Sequence, residues 1–316
     1  MEEVVHRRNY VMTVMATVIA TLALAAGVFA LVRTSSTPTA GAASLAAAVP
    51  VKLTAFYLDI GGSESLGFQP TGISGHNGER TNTGYANDLL LREGLKGVAL
   101  ELQQVGCPGD TVQSMLNTQQ ADACYQPPNT QLTQAVKYLQ AHPTGQGLVT
   151  VDIGSNNIRP CLEANPINQA CVATALAAVQ VDLPKILKQL KAAASPSTHF
   201  VGLEYSDPFL GYYIKGPDGP ARAAATLVAV DSFDTLLGKI YTQQGIVSAA
   251  VPTYFDMNVT TPTTVDNVGT LPLNVEEACQ LSWFCYGTPF GPDDHPSNAG
   301  YSMIAAAIEA VLPKSW

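Results

Sequence analysis

The sequence predicts a three-layer α/β/α sandwich with a mostly parallel, flavodoxin-like central sheet, and two observations predict it. Five short apolar runs, each closed by Gly or Asp, recur along the chain. Short and mostly continuous, they suit strands buried on both faces. Between them the apolar residues recur at spacings of three and four, the period of a helix with one buried stripe. Strands alternating with helices imply right-handed crossovers and a sheet covered on both sides.

The strand candidates, in order, are Leu53–Ile60 ending in Gly61-Gly62, Gly97–Val105 ending near Gly106, and Leu148–Ile153 ending at Gly154. His199–Tyr205 ends at Ser206-Asp207, and Ile246–Tyr254 ends near Asp256. One helical stripe is Val172, Leu176, Val179, Leu183, Ile186 and Leu190, in which Pro184 predicts a kink rather than a break. A second is Tyr301, Ile304, Ala305, Ile308 and Leu312. Sheets of this kind bind ligands beyond the carboxyl ends of their strands, so the residues after each strand are expected on one functional rim.

Ahead of the domain, His6, Arg7 and Arg8 precede an apolar run from about Val11 to Val32. Roughly 20 such residues span a ~30 Å hydrocarbon core. The paired arginines are expected to hold their end in the cytoplasm, leaving the rest outside. Residues 1–34 therefore read as a membrane anchor, or as a signal sequence cleaved near Ala40-Gly41-Ala42-Ala43. Residues 35–50 are rich in Ala, Ser, Thr, Gly and Pro and read as a flexible linker, and residues 51–316 as one domain.

Composition supports this reading. Apolar residues make up 47% of the chain and charged ones 13%, which is ample for a buried core and unlike a disordered protein. The net charge of -9 argues against a nucleic-acid partner, since phosphates need cations to neutralise them. Cys107, Cys124, Cys161, Cys171, Cys279 and Cys285 form an even set, consistent with an oxidising compartment. Six cysteines allow fifteen pairings; the short spacings favour sequential closure. A zinc reading lacks any C-x-x-C or H-x-x-x-H pair, so no metal is expected.

The residues able to do chemistry follow the strands. Gly61-Gly62-Ser63-Glu64-Ser65-Leu66-Gly67 places a serine on a tight turn after the first strand, where its own N–H can face a bound oxygen. The G-x-G-x-x-G spacing of dinucleotide sites is absent from it. Gly106-Cys107-Pro108-Gly109-Asp110-Thr111 follows the second strand and Gly154-Ser155-Asn156-Asn157 the third. Near the C-terminus stands Asp293-Asp294-His295-Pro296-Ser297-Asn298-Ala299-Gly300-Tyr301.

These four pieces, in this order, resemble the blocks of the SGNH (GDSL-type) hydrolase family over about residues 50–312. The Gly-Cys-Pro-Gly-Asp-Thr detail, the sequential cysteine pairs and the His-Pro-x-x-Ala-Gly-Tyr ending resemble its secreted actinobacterial-type esterases and lipases. The resemblance implies Ser63 as nucleophile and His295 as base. It also implies an oxyanion hole from the N–H groups of Ser63 and Gly109 and the Asn156 amide. Hydroxyl attack on an ester needs a base within about 2.6–3.2 Å and fixed donors for the developing oxyanion. No cofactor is implied.

The sequence departs from the family pattern in places. Gly62 stands for the usual aspartate, Glu64 for the leucine, and Asn157 for an aspartate. The family's carboxylate three residues before the histidine is replaced by Pro292, leaving Asp293 and Asp294. Asp293 is assigned the orienting role, with a backbone carbonyl as the alternative. His76, His142 and His199 lack matching context and read as structural, while Asp207 is expected to begin a turn with Pro208. Phe209-Leu210-Gly211-Tyr212-Tyr213 and the loop from about Met257 to Glu276 either wall the substrate site or, for Tyr212 and Tyr213, pack on a helix.

The expected function is hydrolysis of a lipid, short acyl or acetylated glycan ester by an extracytoplasmic monomer that meets the membrane through its N-terminal segment. The alternatives are an envelope O-acyltransferase and a catalytically impaired binding protein on the same fold.

Overall fold

The computed structural model describes residues 50–73, 78–265 and 268–314. The expected anchor or signal, the linker up to Val49, and His76 lie outside the described residues. Five parallel strands form the sheet, in the order β2-β1-β3-β4-β5. They are β1 Leu53–Gly61, β2 Val98–Gln104, β3 Gly147–Asp152, β4 Thr198–Leu203 and β5 Val247–Ala249. This is the flavodoxin-like order, in which the chain turns back at β1 and β3.

Burial along each strand follows from its place. In the middle of the sheet, β3 is buried throughout and β1 from Ala55 onward, because both faces are covered. β2 at one edge alternates between covered and exposed residues. The two faces are readable from β1 itself. Phe56 packs its ring on Tyr138 of α3 (Gln131–Ala141), while Asp59, of opposite parity, accepts a hydrogen bond from Tyr85 of α1 (Tyr85–Leu95). The sheet is flanked by helices on both sides, as expected.

The remaining helices are α2 (Val112–Leu116), α4 (Ser155–Glu163), α5 (Gln169–Ala193), α6 (Gly219–Gln243), α7 (Val251–Tyr254), α8 (Leu273–Leu281) and α9 (Asn298–Glu309). α5 is long and apolar enough to cross a membrane by length and composition, yet its stripe from Val172 to Leu190 is buried in the domain core. Pro184 lies inside α5 without ending it. α9 packs against α1 on one side, and α5 against α4, α3 and α6 on the other.

Three expectations need correction. The fifth strand is only Val247–Ala249; Pro252 lacks an N–H for the ladder and suits a first helical turn, so Val251–Tyr254 coils as α7. The segment expected as a loop from Met257 to Glu276 contains an antiparallel pair, β6 (Pro262–Val265) and β7 (Gly269–Pro272), and then enters α8. Leu312 lies beyond α9, though it still packs on the core.

The cysteines close sequentially, as Cys107–Cys124, Cys161–Cys171 and Cys279–Cys285.

Candidate active site

β1 and β3 deliver two of the sequence blocks side by side. Gly61 on β1 lies opposite Asp152 on β3, and the Gly62 N–H donates to the Asp152 carbonyl at 3.0 Å. The chain then turns sharply: Ser63 has helical dihedrals and heads a 3-10 turn, Glu64–Leu66. The Ser65 hydroxyl returns to the Gly62 carbonyl at 2.8 Å and fixes that turn. A side chain at Gly62 would place its Cβ 2.9 Å from the Asn156 amide nitrogen, so glycine there lets the third block close on the nucleophile turn.

The base arrives from the other end of the domain. His295 pairs through its carbonyl with the Trp283 N–H at 3.1 Å, and the Asp293 N–H reaches the Trp283 carbonyl at 3.4 Å. This pairing lays residues 293–297 along the Leu281–Trp283 segment, whose Leu281 carbonyl accepts the Ser297 N–H. Ser297 then caps α9. Held so, the His295 ring is buried and its Nε2 lies 2.7 Å from Ser63 Oγ. Phe68 rests against the ring, 5.7 Å between centroids.

His295 Nδ1 lies 2.8 Å from Asp293 Oδ1, and the same oxygen accepts the His295 backbone N–H at 2.9 Å. Burial would raise the Asp293 carboxyl, but hydrogen bonds from His295, its positive charge when protonated, and Arg159 outweigh this and hold it below its ordinary value. An ionised carboxylate can only accept, so Nδ1 carries the ring proton and Nε2 presents its lone pair to the Ser63 hydroxyl. Asp294 points elsewhere, pairing with Arg159 Nε at 3.1 Å. Of the two acids read from the sequence, Asp293 is therefore the one on the ring nitrogen.

The remaining expected residues lie after strands of the same sheet, Asn156 against Gly62 and Gly109 in the turn that follows β2. Gly109, exposed, has φ +81°, a backbone that glycine adopts without strain. Among the described residues, no backbone or side-chain oxygen accepts the N–H of Ser63 or of Gly109. Asn156 uses one amide hydrogen on the Asp110 carbonyl at 3.1 Å, and its other meets no acceptor among the described residues. Its neighbour Asn157 accepts the Val112 N–H at the start of α2, a structural task.

Sequence reasoning missed the groups that brace these turns. Gln131, fully buried at the start of α3, accepts the Gly61 N–H (2.7 Å), donates to the Gly61 carbonyl (2.9 Å) and donates to Asp110 Oδ2 (2.8 Å). One side chain thus joins the strand end before Ser63 to the residue whose carbonyl holds Asn156. Asp59 and Asp152 lie beneath the turn, both with no exposed surface. Tyr85, Thr150 and Gln104 donate to Asp59, which burial nevertheless pushes up to about 7; burial likewise lifts Asp152 to about 6. A lone buried Asp in an apolar strand was the available signal for both. Burial drives the Glu64 carboxyl well above its ordinary value, with Asp152 and Asp294 adding to it and Arg159 opposing.

Other singled-out residues are structural. His142 Nδ1 meets the Tyr138 carbonyl, and His199 sits near the amino end of β4, on the rim opposite Ser63. Asp207 caps the 3-10 turn Pro208–Ile214 through the Phe209 N–H. Within that turn Phe209 is buried, and Tyr212 packs on Phe284 with Arg222 over its ring. Among the described residues, two groups of potential metal ligands have their ligand atoms within 4.8 Å of one another, Asp293/Asp294/His295 and Cys107/Asp122/Cys124. In both they are engaged already, by the contacts above or by the Cys107–Cys124 disulfide.

No family profile and no curated protein matches the chain. Solved structures do. The fold is that of the SGNH-type lipases and esterases, as the sequence blocks implied. The extracellular lipase of Streptomyces rimosus superposes with TM-score 0.51 at 19% identity, over 82% of this chain and all of that one. The phospholipase A1 of Streptomyces albidoflavus does so with TM-score 0.51 at 19% identity, over 82% of this chain and 99% of its own.

Proposed function

We propose that the chain is a serine ester hydrolase working through an acyl-Ser63 intermediate. The observation that carries this is the line Asp293–His295–Ser63, with contacts of 2.8 and 2.7 Å, the second joining groups 232 positions apart in sequence. Ser63 Oγ attacks the ester carbonyl carbon while its proton passes to His295 Nε2. Asp293 holds the ring tautomer and stabilises the imidazolium. The oxyanion is received by the N–H groups of Ser63 and Gly109 and the free amide hydrogen of Asn156, each donor worth roughly 3–4 kcal/mol in the transition state. When the tetrahedral species collapses, the C–O bond to the alcohol breaks and the imidazolium protonates the leaving oxygen. Water then repeats the sequence on the acyl-enzyme, releasing the acid and restoring Ser63.

The three disulfides favour an oxidising, extracytoplasmic setting, in line with the orientation read from the N-terminal residues. The test is hydrolysis of p-nitrophenyl esters together with labelling by a fluorophosphonate. Wild type is expected to do both and Ser63→Ala neither; a wild type inert in both assays sinks the reading.

A further inference from the structure

One strip bordering the Ser63–His295 pair takes no part in this chemistry. From Leu281 to Pro292 the chain has no charged residue and four aromatic ones, Trp283, Phe284, Tyr286 and Phe290. Phe284 turns inward onto Phe209 and Tyr212. The other three gather around Trp283, whose ring centroid is 4.8 Å from Tyr286 and 5.9 Å from Phe290. Tyr286 is 44% exposed and Phe290 43%. Leu66 to Ile73, also uncharged, meets this strip: the Phe290 ring lies over Gly72, Ile73 is 57% exposed, and the Trp283 indole N–H donates to Gln69. Phe68, from the same segment, rests on the His295 ring, so the aromatic face runs up to the base itself.

The face is held firmly. The Cys279–Cys285 disulfide closes its base, Phe284 anchors it in the core, and the Trp283 backbone is paired with Asp293 and His295. Clustered exposed aromatics of this kind mark an interaction site, whereas single exposed apolar residues do not.

The chemistry of the face chooses the occupant. The two segments carry no charge of their own; exposed Glu79 and Arg80, of opposite sign, lie on the stretch paired with Gln69 and give the face no net charge for an ionic partner. Sugar rings stack on aromatics but also need hydrogen-bonding groups around their hydroxyls. The amide nearest to hand is committed, Gln69 giving its oxygen to Trp283 and its nitrogen to Asn298. Trp and Tyr, apolar bodies with one polar tip, suit the boundary of a lipid layer. The same chain carries the apolar run from Val11 to Val32. Residues 33–49 contribute up to about 58 Å of contour at ~3.4 Å each, more than the ~30 Å length of β1 that separates the start of the domain from its functional rim.

We infer that this aromatic face docks on a lipid surface and that the ester reaches Ser63 from the lipid layer. The inference rests on the hydrolase reading above and names its substrate class as lipid esters.

The experiment uses the full chain in vesicles, with Trp316→Phe so that Trp283 is the remaining indole. Lipids brominated in the acyl chain are expected to quench Trp283 emission by half or more. In the same vesicles, Tyr286→Ser with Phe290→Ser is expected to lower the rate on a bilayer-borne long-chain ester at least tenfold relative to the rate on p-nitrophenyl acetate. An unquenched Trp283, or an unchanged ratio of the two rates, overturns the inference. So does a selective loss on an acetylated glycan, which moves the face to sugar binding. If wild type cleaves no ester, the hydrolase reading fails while quenching still judges the docking. Should the double variant not fold, the quenching of Trp283 decides alone.

Discussion

Asp293 and His295 stand two positions apart, and one carboxylate oxygen of the first accepts both the ring N–H and the backbone N–H of the second. A carboxylate so close in sequence grips the histidine at two points and fixes ring and backbone together. On the proposed hydrolase reading it takes the task that the family pattern gives to the position occupied here by Pro292. Asp293→Asn is expected to lower kcat on p-nitrophenyl acetate by about 10³–10⁴-fold, because an amide no longer enforces the tautomer. Asp294→Asn, which loosens only the Arg159 contact, is expected to cost less than tenfold. Equal losses would refute the assignment.

The two adjacent asparagines separate in the same way. Asn156→Ala removes a free amide hydrogen beside Ser63 and is expected to reduce kcat by about 10²–10³-fold with KM little changed. Asn157→Ala removes an acceptor for the first N–H of α2 and is expected to lower stability by about 1 kcal/mol with activity nearly intact. Steady-state kinetics and thermal unfolding of both variants check this, and a reversed pattern would exchange the roles.

Gln131 predicts a variant that harms both stability and rate. Gln131→Met leaves the Gly61 N–H and Asp110 Oδ2 without their partner in a buried place, while the Gly61 carbonyl keeps the Cys107 N–H. Unsatisfied buried groups cost ~1–3 kcal/mol each and relaxation recovers part, so a net loss on the order of 3 kcal/mol is expected. For a domain of this size that lowers Tm by roughly 6–12 °C. An unchanged Tm would show that the clamp is idle.

Stability is expected to fall as pH rises through neutrality. Asp59 and Asp207 are lifted to about 7, and Asp152 and Asp110 to about 6, each chiefly by burial. A carboxyl whose pKa is raised by folding binds its proton more tightly in the native state. Its contribution is full below the unfolded value of ~3.9 and is lost as pH climbs through the folded one. Asp293 and Glu309, both lowered, act oppositely and lose their contribution only in stronger acid. Calorimetry should therefore find a higher Tm at pH 5 than at pH 8, with a smaller difference in Asp59→Asn. A domain more stable at pH 8 would contradict this.

The Cys279–Cys285 bridge closes a short loop, with a sequence separation of 6. Chain entropy assigns such a closure about 2 kcal/mol. Replacing both cysteines by serine is expected to lower Tm by roughly 4–8 °C. No loss of stability would show that the surrounding contacts hold the loop unaided.

The sheet was legible because its central strands are buried on both faces and so read as unbroken apolar runs. The nucleophile turn of the candidate site was legible because it follows a strand end, while Asp293 and His295, just before α9, were found through the resemblance of their block. What escaped lay where tertiary contacts decide the local form. Ile246–Tyr254 is apolar throughout, and periodicity cannot divide such a run into a three-residue strand and a helical turn. The hairpin Pro262–Pro272 is short and largely polar, with little inward stripe to reveal it. Asp293 was chosen over Asp294 from the sequence, but the reason it reaches the ring, the pairing of residues 293–297 with Leu281–Trp283, is a contact invisible along the chain. Gln131 carries no signal along the chain; Gly61 and Asp110 come to it only through space.

The reacting hydroxyl is supplied about a dozen residues into the domain and its base only in the last stretch before α9. On the hydrolase reading proposed above, the pair is therefore incomplete until that final stretch has docked along Leu281–Trp283. Esterase activity would then be a readout of finished folding.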